Sequence, residues 1–337
     1  MAVNAELWGA LFEAARALKD MAPWRWADAE DLVEIVLEKN PVTVFCSVMG
    51  GGGECYGITV LLGADGYQRF LGVLEESDGV ADPLYLMHEQ NCLTLYWGDR
   101  EEVPPDQKAI IKELGLRFRG RGNWPFFLSM KPRYVPATPD DSEAAVMTEA
   151  LQNLFMCFRA MEEGRLEPQW DEDHLLLRCF SKEDQSWHIG WMELPKVPSL
   201  YPEVTLQDEV LKERLKQRPA ISAEIILDLV YPDVPISGKK GERAALPLLC
   251  FMMDVTQGCV IHFEILEPGK PEIEALFDAF VPYVLGAGRM RLLRARNPWV
   301  FSALEDLCSY CGIPLRRTPC PEIDALRAAM FGMMQQF

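Results

Sequence analysis

Residues 246 to 335 alternate apolar runs with amphipathic stretches in an order that few folds accept. Leu246 to Val255 and Cys259 to Leu266 read as strands joined by the turn pair Gln257-Gly258. Glu272 to Leu285 then reads as a helix, Arg289 to Ala295 as a strand, Pro298 to Cys311 as a helix, Ile313 to Thr318 as a strand and Pro321 to Gln335 as a helix. Strands separated by helices of this length need crossover connections, which make parallel neighbours in a helix-covered sheet. The β-β-α-β-α-β-α order therefore predicts an α/β domain with a mixed sheet.

The other part of the 337-residue chain is long enough for a second core. Trp8, Leu11, Phe12, Ala15 and Leu18 recur at helical spacing from Ala5 to Lys19, and Pro23 ends that pattern. Val42 to Met49 and Tyr56 to Leu62 are β-branched runs flanking the glycines Gly50 to Gly53, which read as a hairpin turn needing positive φ. Tyr67 to Glu75 predicts a short helix, Pro83 to Met87 and Cys92 to Trp97 a strand pair, and Pro105 to Leu114 a helix stopped by Gly115. Residues 1–135 are thus expected to form an α+β domain.

Asp140 with Glu143 three residues on is a capping box, and it opens a helix whose Met147, Leu151, Leu154, Phe158 and Met161 make a packing stripe. Residues 136–168 are expected to be a bridging helix and linker. Two strand candidates, Leu175 to Phe180 and Trp187 to Leu194, a charged helix from Leu206 to Gln217 and the apolar strand Ile221 to Tyr231 follow. They assign residues 169–337 to the α/β domain, best defined over 246–337.

Charge and composition narrow the function classes. Lys plus Arg number 33 against 51 Asp plus Glu, giving −18, a balance that repels a phosphate backbone and makes nucleic acid an unfavoured partner. The longest apolar run, Ala244 to Met253, is ten residues, half of what a membrane-spanning helix requires. No basic, apolar leader opens the sequence, and most of the ten cysteines stand singly in apolar runs, so a reducing, cytoplasmic location is expected. Cys308-Ser-Tyr-Cys311 has no second half-site at metal spacing and reads as a helix end stopped by Gly312.

Two basic clusters are candidates for ligand binding. Arg117 to Phe127 interleaves cations, glycines and aromatics, with Arg119, Arg121 and Trp124 at its centre; such a mixture stacks rings and contacts anions. The alternative is a strand and turn with its aromatics in the core. Between 289 and 317, six arginines, Arg294 and Arg296 among them, face only Glu305 and Asp306, a local charge of +4 that suits an anionic ligand or acidic partner. The competing reading has these arginines paired with the chain's own surplus carboxylates.

The C-terminal order, with Asp254-Val-Thr-Gln-Gly258 after its first strand, Tyr310-Cys-Gly-Ile-Pro314 after its second helix and Pro321-Glu-Ile-Asp324 at its last, resembles the ribonuclease H-like fold of integrases and transposases. That resemblance implies three carboxylates holding two Mg²⁺ or Mn²⁺ ions: one ending the first strand, one after the strand following the first helix, one beginning a later helix. Asp254 matches the first position, and Glu322 or Asp324 the third. At the second stand Arg296-Asn297-Pro298, a cation where the shared metal ligand belongs. Asp228, Asp306 and Glu264 are the acids that a metal-dependent phosphodiesterase would have to recruit instead.

Met21-Ala-Pro-Trp24, Cys46 to Gly50 with Tyr56-Gly57, Leu114 to Gly120 with Trp124-Pro125, and Asp254 with Gly258 together resemble an uncharacterised bacterial family. In that family an α+β domain precedes a degenerate ribonuclease H-like domain. The resemblance implies no activity. The expectation is a non-catalytic protein without metal or cofactor that recognises a protein partner or small anionic ligand.

Overall fold

The computed structural model describes residues 4–76, 79–232, 234–236, 243–267 and 269–334, and forms two compact units. The first comprises residues 1–70, 90–131 and 136–197, the second residues 71–89, 132–135 and 198–337.

In the first unit seven strands make one sheet: β1 (Val33–Val36), β2 (Thr43–Met49), β3 (Gly57–Leu62), β4 (Cys92–Gly98), β5 (Trp124–Met130), β6 (His174–Ser181) and β7 (Ser186–Glu193). Their order is β5-β4-β3-β2-β1-β6-β7, antiparallel except for the parallel pair β1 and β6. Helices α1 (Ala5–Met21) and α5 (Asp141–Glu162) pack together, sending Trp8, Leu11, Phe12 and Leu18 and Met147, Leu151, Leu154 and Phe158 into one core with Val44, Cys46 and Val60. The capping box of α5 forms: Asp140 accepts from the Glu143 amide at 2.9 Å while Glu143 accepts from the Asp140 amide at 3.0 Å. Between β2 and β3, Gly50 and Gly53 take positive φ, as the hairpin reading requires.

Three sequence expectations need correction here. Residues 136–168 are part of the first unit, because the apolar stripe of α5 is covered by α1 and the first sheet. The strands from 174 to 193 extend that same sheet through β1, so the change of unit falls after 197 and not near 168. Pro83 to Met87 is a helix, α3 (Pro83–His88): Asp82 accepts from the Leu84 amide at 3.1 Å, and Pro83 stands where a helix has no use for an N–H. Helix α4 (Pro105–Glu113) belongs to the first unit; α2 (Gly63–Glu75) begins in it and ends in the second, which also holds α3.

The second unit carries strands β8 (Glu224–Val230), β9 (Leu248–Asp254), β10 (Cys259–Leu266), β11 (Leu292–Ala295) and β12 (Leu315–Arg317) in the order β10-β9-β8-β11-β12. The pairs β10–β9 and β9–β8 are antiparallel; β8–β11 and β11–β12 are parallel. Helices α7 (Glu272–Gly286), α8 (Pro298–Cys311) and α9 (Pro321–Met334) make the crossovers and close the chain. Ile225, Leu227 and Leu229 face a core shared with α7, α8 and α6 (Glu209–Lys216), whereas Ile226 and Val230 face Cys320 and Ile323 at the start of α9. Strand alternation therefore turns Asp228 toward the α9 side.

Candidate functional site

The parallel register of β8 and β11 builds the site. Leu292, Leu293 and Arg294 stand opposite Glu224, Ile225 and Ile226, so continuing the register brings Arg296 level with Asp228 on the same face. The Arg296 Nε donates to Asp228 Oδ2 at 2.7 Å, its Nη1 to Asp324 Oδ1 at 2.9 Å and its Nη2 to Asp82 Oδ2 at 3.4 Å. Arg327 joins from the next turn of α9, with Nη1 2.5 Å from Asp82 Oδ2 and Nη2 3.2 Å from Asp324 Oδ1. The second oxygen of Asp228 accepts from the Asn297 amide at 3.1 Å, and Asn297 in turn caps α8 through Trp299 N.

Three carboxylates thus enclose two guanidiniums beneath the start of α9. The Asp228 side chain has no exposure and that of Arg296 only 6%. Burial pushes the Asp228 carboxyl up to about 6, with Arg296 and the Asn297 amide pulling the other way, so it is ionised at neutral pH. For Arg296, burial works to lower the guanidinium, and the carboxylates of Asp228 and Asp82 reverse this and hold it above its ordinary value.

These donors do not fit a two-metal centre. A hard divalent ion needs free carboxylate oxygens, and those that point inward here each accept from a guanidinium or an amide. A cation placed between Asp228 and Asp324 would also sit against Arg296. No group of three or more His, Cys, Asp or Glu with metal-holding geometry occurs among the described residues.

The residues singled out in the sequence divide. Asp254 ends the second strand of this sheet, because β8 precedes it; it pairs opposite Ile225, on the face away from Asp228, and accepts from Gln257 N at 3.0 Å in the β9–β10 turn. It does not meet Asp324, so the proposed metal set of Asp254 with Glu322 or Asp324 is not assembled. Glu322 pairs with Arg294 at 2.8 Å, and Arg294 also reaches Glu224 at 3.3 Å, the Thr318 hydroxyl and the Pro319 carbonyl. Arg291 pairs with Glu224 and Arg317 with Glu76. Of the six arginines of the +4 segment, Arg289, Arg291, Arg294, Arg296 and Arg317 therefore bond inside the unit, Arg296 is buried rather than offered to a ligand, and Arg316 is exposed. Cys308 and Cys311 lie in the core beside Gly312, which ends α8 in the left-handed conformation, and burial raises both thiols, the reverse of what a reactive thiolate needs.

In the first unit, Phe118 packs at a tilt against Phe12 and Trp124, so the aromatics of the Arg117–Phe127 segment do serve the core. Its cations point outward. Arg119 is exposed, Arg121 is 97% exposed with Asp99 at 3.8 Å, and Arg100 lies 5.9 Å above the half-buried Trp124 ring. Gly122 is pinned by its amide on Asp99 Oδ1 at 2.8 Å and by its carbonyl on the Lys19 ammonium.

Asp82 and Arg327 join the cluster without any sequence signal that nominates them. Asp228 had one: it is the single acid within an otherwise apolar strand, Ile225 to Val230.

No helix among the described residues is long and apolar enough to cross a membrane. No curated protein matches the chain. Residues 211–331, which hold all of the Arg296 cluster except Asp82, match a model described as Domain of unknown function (DUF6930). Residues 8–178, half of the sequence, match another, and the chain accordingly belongs to the family described as Domain of unknown function (DUF7309).

Proposed function

We propose that the protein is a non-catalytic binding protein whose second unit is a ribonuclease H-like scaffold with its metal seat filled by arginine. The strand order β10-β9-β8-β11-β12, with three antiparallel strands leading into two parallel crossovers, supports the scaffold reading. It also supplies the first strand, β8, so that Asp228 and not Asp254 takes the first acidic position, Asp324 the last-helix position and Arg296 the place of the bridging acid. The observation that carries the proposal is the Arg296 guanidinium bonded to Asp228 and Asp324 together. Fold alone would assign no chemistry.

Recognition on this reading falls to the outward cations of the first unit. Arg119 and Arg121, both exposed in the segment that leads to Trp124, suit a small anionic ligand or an acidic protein face. With a net charge of −18, nucleic acid is the least favoured partner.

Calorimetric titration of Mn²⁺ into the wild type and into Asp324→Ala tests the proposal. The expected result is no micromolar binding that depends on Asp324. Micromolar binding in the wild type that Asp324→Ala and Asp228→Asn both abolish would replace the proposal with a metal-dependent phosphodiesterase.

A further inference from the structure

Among the described residues, nine large apolar side chains are exposed, and four of them, Val260, Ile261, Phe263 and Ile265, lie on β10. Their gathering has a structural cause. Val260, Phe263 and Ile265 stand opposite Met253, Phe251 and Leu249, alternate residues of β9, so all three face the same side of the sheet. The register shift between Val260 and His262 inserts Ile261 as an extra residue beside them. An edge strand consequently presents an apolar row on the α9 side, with Phe263 ringed against Phe251 at 5.0 Å.

Proteins ordinarily blunt such edges with charges, prolines or brevity as well as with bulges like that at Ile261. The opposite edge of this sheet does so: β12 is three residues, two of them arginine. β10 is eight residues, Cys-Val-Ile-His-Phe-Glu-Ile-Leu, without lysine, arginine or proline.

Its sequence is self-complementary when read against itself. In an antiparallel pair centred on Phe263, Ile261 falls opposite Ile265 of the other strand, Phe263 opposite Phe263, and His262 opposite Glu264. Apolar meets apolar on one face, and on the other His262 meets Glu264, which also accepts from Lys270 Nζ at 2.7 Å in its own chain. The His262 Nε2 accepts or donates no hydrogen bond among the described residues and lies 3.8 Å from Glu264 Oε2 in its own strand. We infer that β10 pairs with β10 of a second copy of this chain across a two-fold axis, joining two five-stranded sheets into one of ten. This goes beyond the binding role proposed above and does not depend on it.

A strand edge buries less than a standard interface, so the dimer is expected to dissociate at micromolar concentrations. Sedimentation equilibrium of the full chain over roughly 1–100 µM is expected to show a reversible monomer–dimer equilibrium. Phe263→Lys is expected to raise the dissociation constant about ten-fold or more while the far-ultraviolet circular dichroism spectrum stays that of the wild type, since the residue is 46% exposed. As a second readout, Phe263→Cys in a Cys55→Ser, Cys259→Ser background is expected to give a disulfide-linked dimer on mild oxidation, joined at position 263. A wild type that remains monomeric throughout the range, a dimer undiminished by Phe263→Lys, or linkage absent at position 263 would each overturn the inference. So would a monomer that uses this strand to bind lipid vesicles.

Discussion

A guanidinium taken out of water loses several kcal/mol of hydration unless carboxylates replace the solvent around it. Arg296 has three, and that balance sets the expected response to mutation. Asp228→Ala leaves a buried cation short of its closest partner and is expected to lower stability by about 3–5 kcal/mol, measured as a denaturant midpoint. Arg296→Met with Asp228→Leu, which removes the closest pair together, is expected to lose much less than either single change, because the two residues are strongly coupled. The pH dependence follows from the raised carboxyl of Asp228. A carboxyl raised in the folded state contributes stability that is fully present below its unfolded value and is lost as pH rises through its folded value, about 6. The stability of wild type relative to Asp228→Asn is thus expected to fall by about 3 kcal/mol between roughly pH 4 and 7, read from paired thermal melts. A flat difference would show that burial does not dominate at Asp228.

Individual elements reveal what sequence patterning reaches and where it stops. Helix α5 is legible in full, because its capping box and its stripe are local signals. What packs on that stripe is not local, and so the helix reads as a bridge until α1 is seen against it. The same limit governs β8: its apolar run is legible as a strand, but only the register with β9 and β11 makes it the centre of the second sheet and sets Asp228, not Asp254, level with Arg296. Arg296 is legible as a cation after β11; its neighbours Asp82 and Arg327 arrive through tertiary packing, Asp82 as the cap of a helix whose sequence also suits a strand. Glu149 on α5 offers a prediction at this scale. Its carboxylate accepts from the amides of Glu38, Lys39 and Asn40 at 2.6, 2.9 and 3.1 Å, clamping the turn between β1 and β2. Glu149→Ala leaves those amides without their acceptor and is expected to cost about 2–3 kcal/mol, with hydrogen exchange rising first in residues 38–40.

At the scale of the whole chain, the two units are not two consecutive halves. Residues 71–89 and 132–135, although they precede the C-terminal segment, are part of the second unit, where Asp82 supports Arg296 and Arg327 and Arg133 pairs with Glu272. A fragment of residues 198–337 therefore lacks Asp82 for Arg296 and Arg327, Glu76 for Arg317 and Arg133 for Glu272. It is expected to unfold without a sharp transition, whereas the intact chain unfolds cooperatively; circular dichroism during heating distinguishes the two. A fragment as cooperative as the whole would mean that the inserted segments are dispensable.

One cation, the Arg296 guanidinium, lies between Asp228 and Asp324. Anomalous diffraction from crystals soaked in Mn²⁺ reads this directly. The predicted map has no anomalous peak within bonding distance of the Asp228 carboxylate and shows the Arg296 guanidinium there; a peak bridging Asp228 and Asp324, with Arg296 turned away, would contradict it.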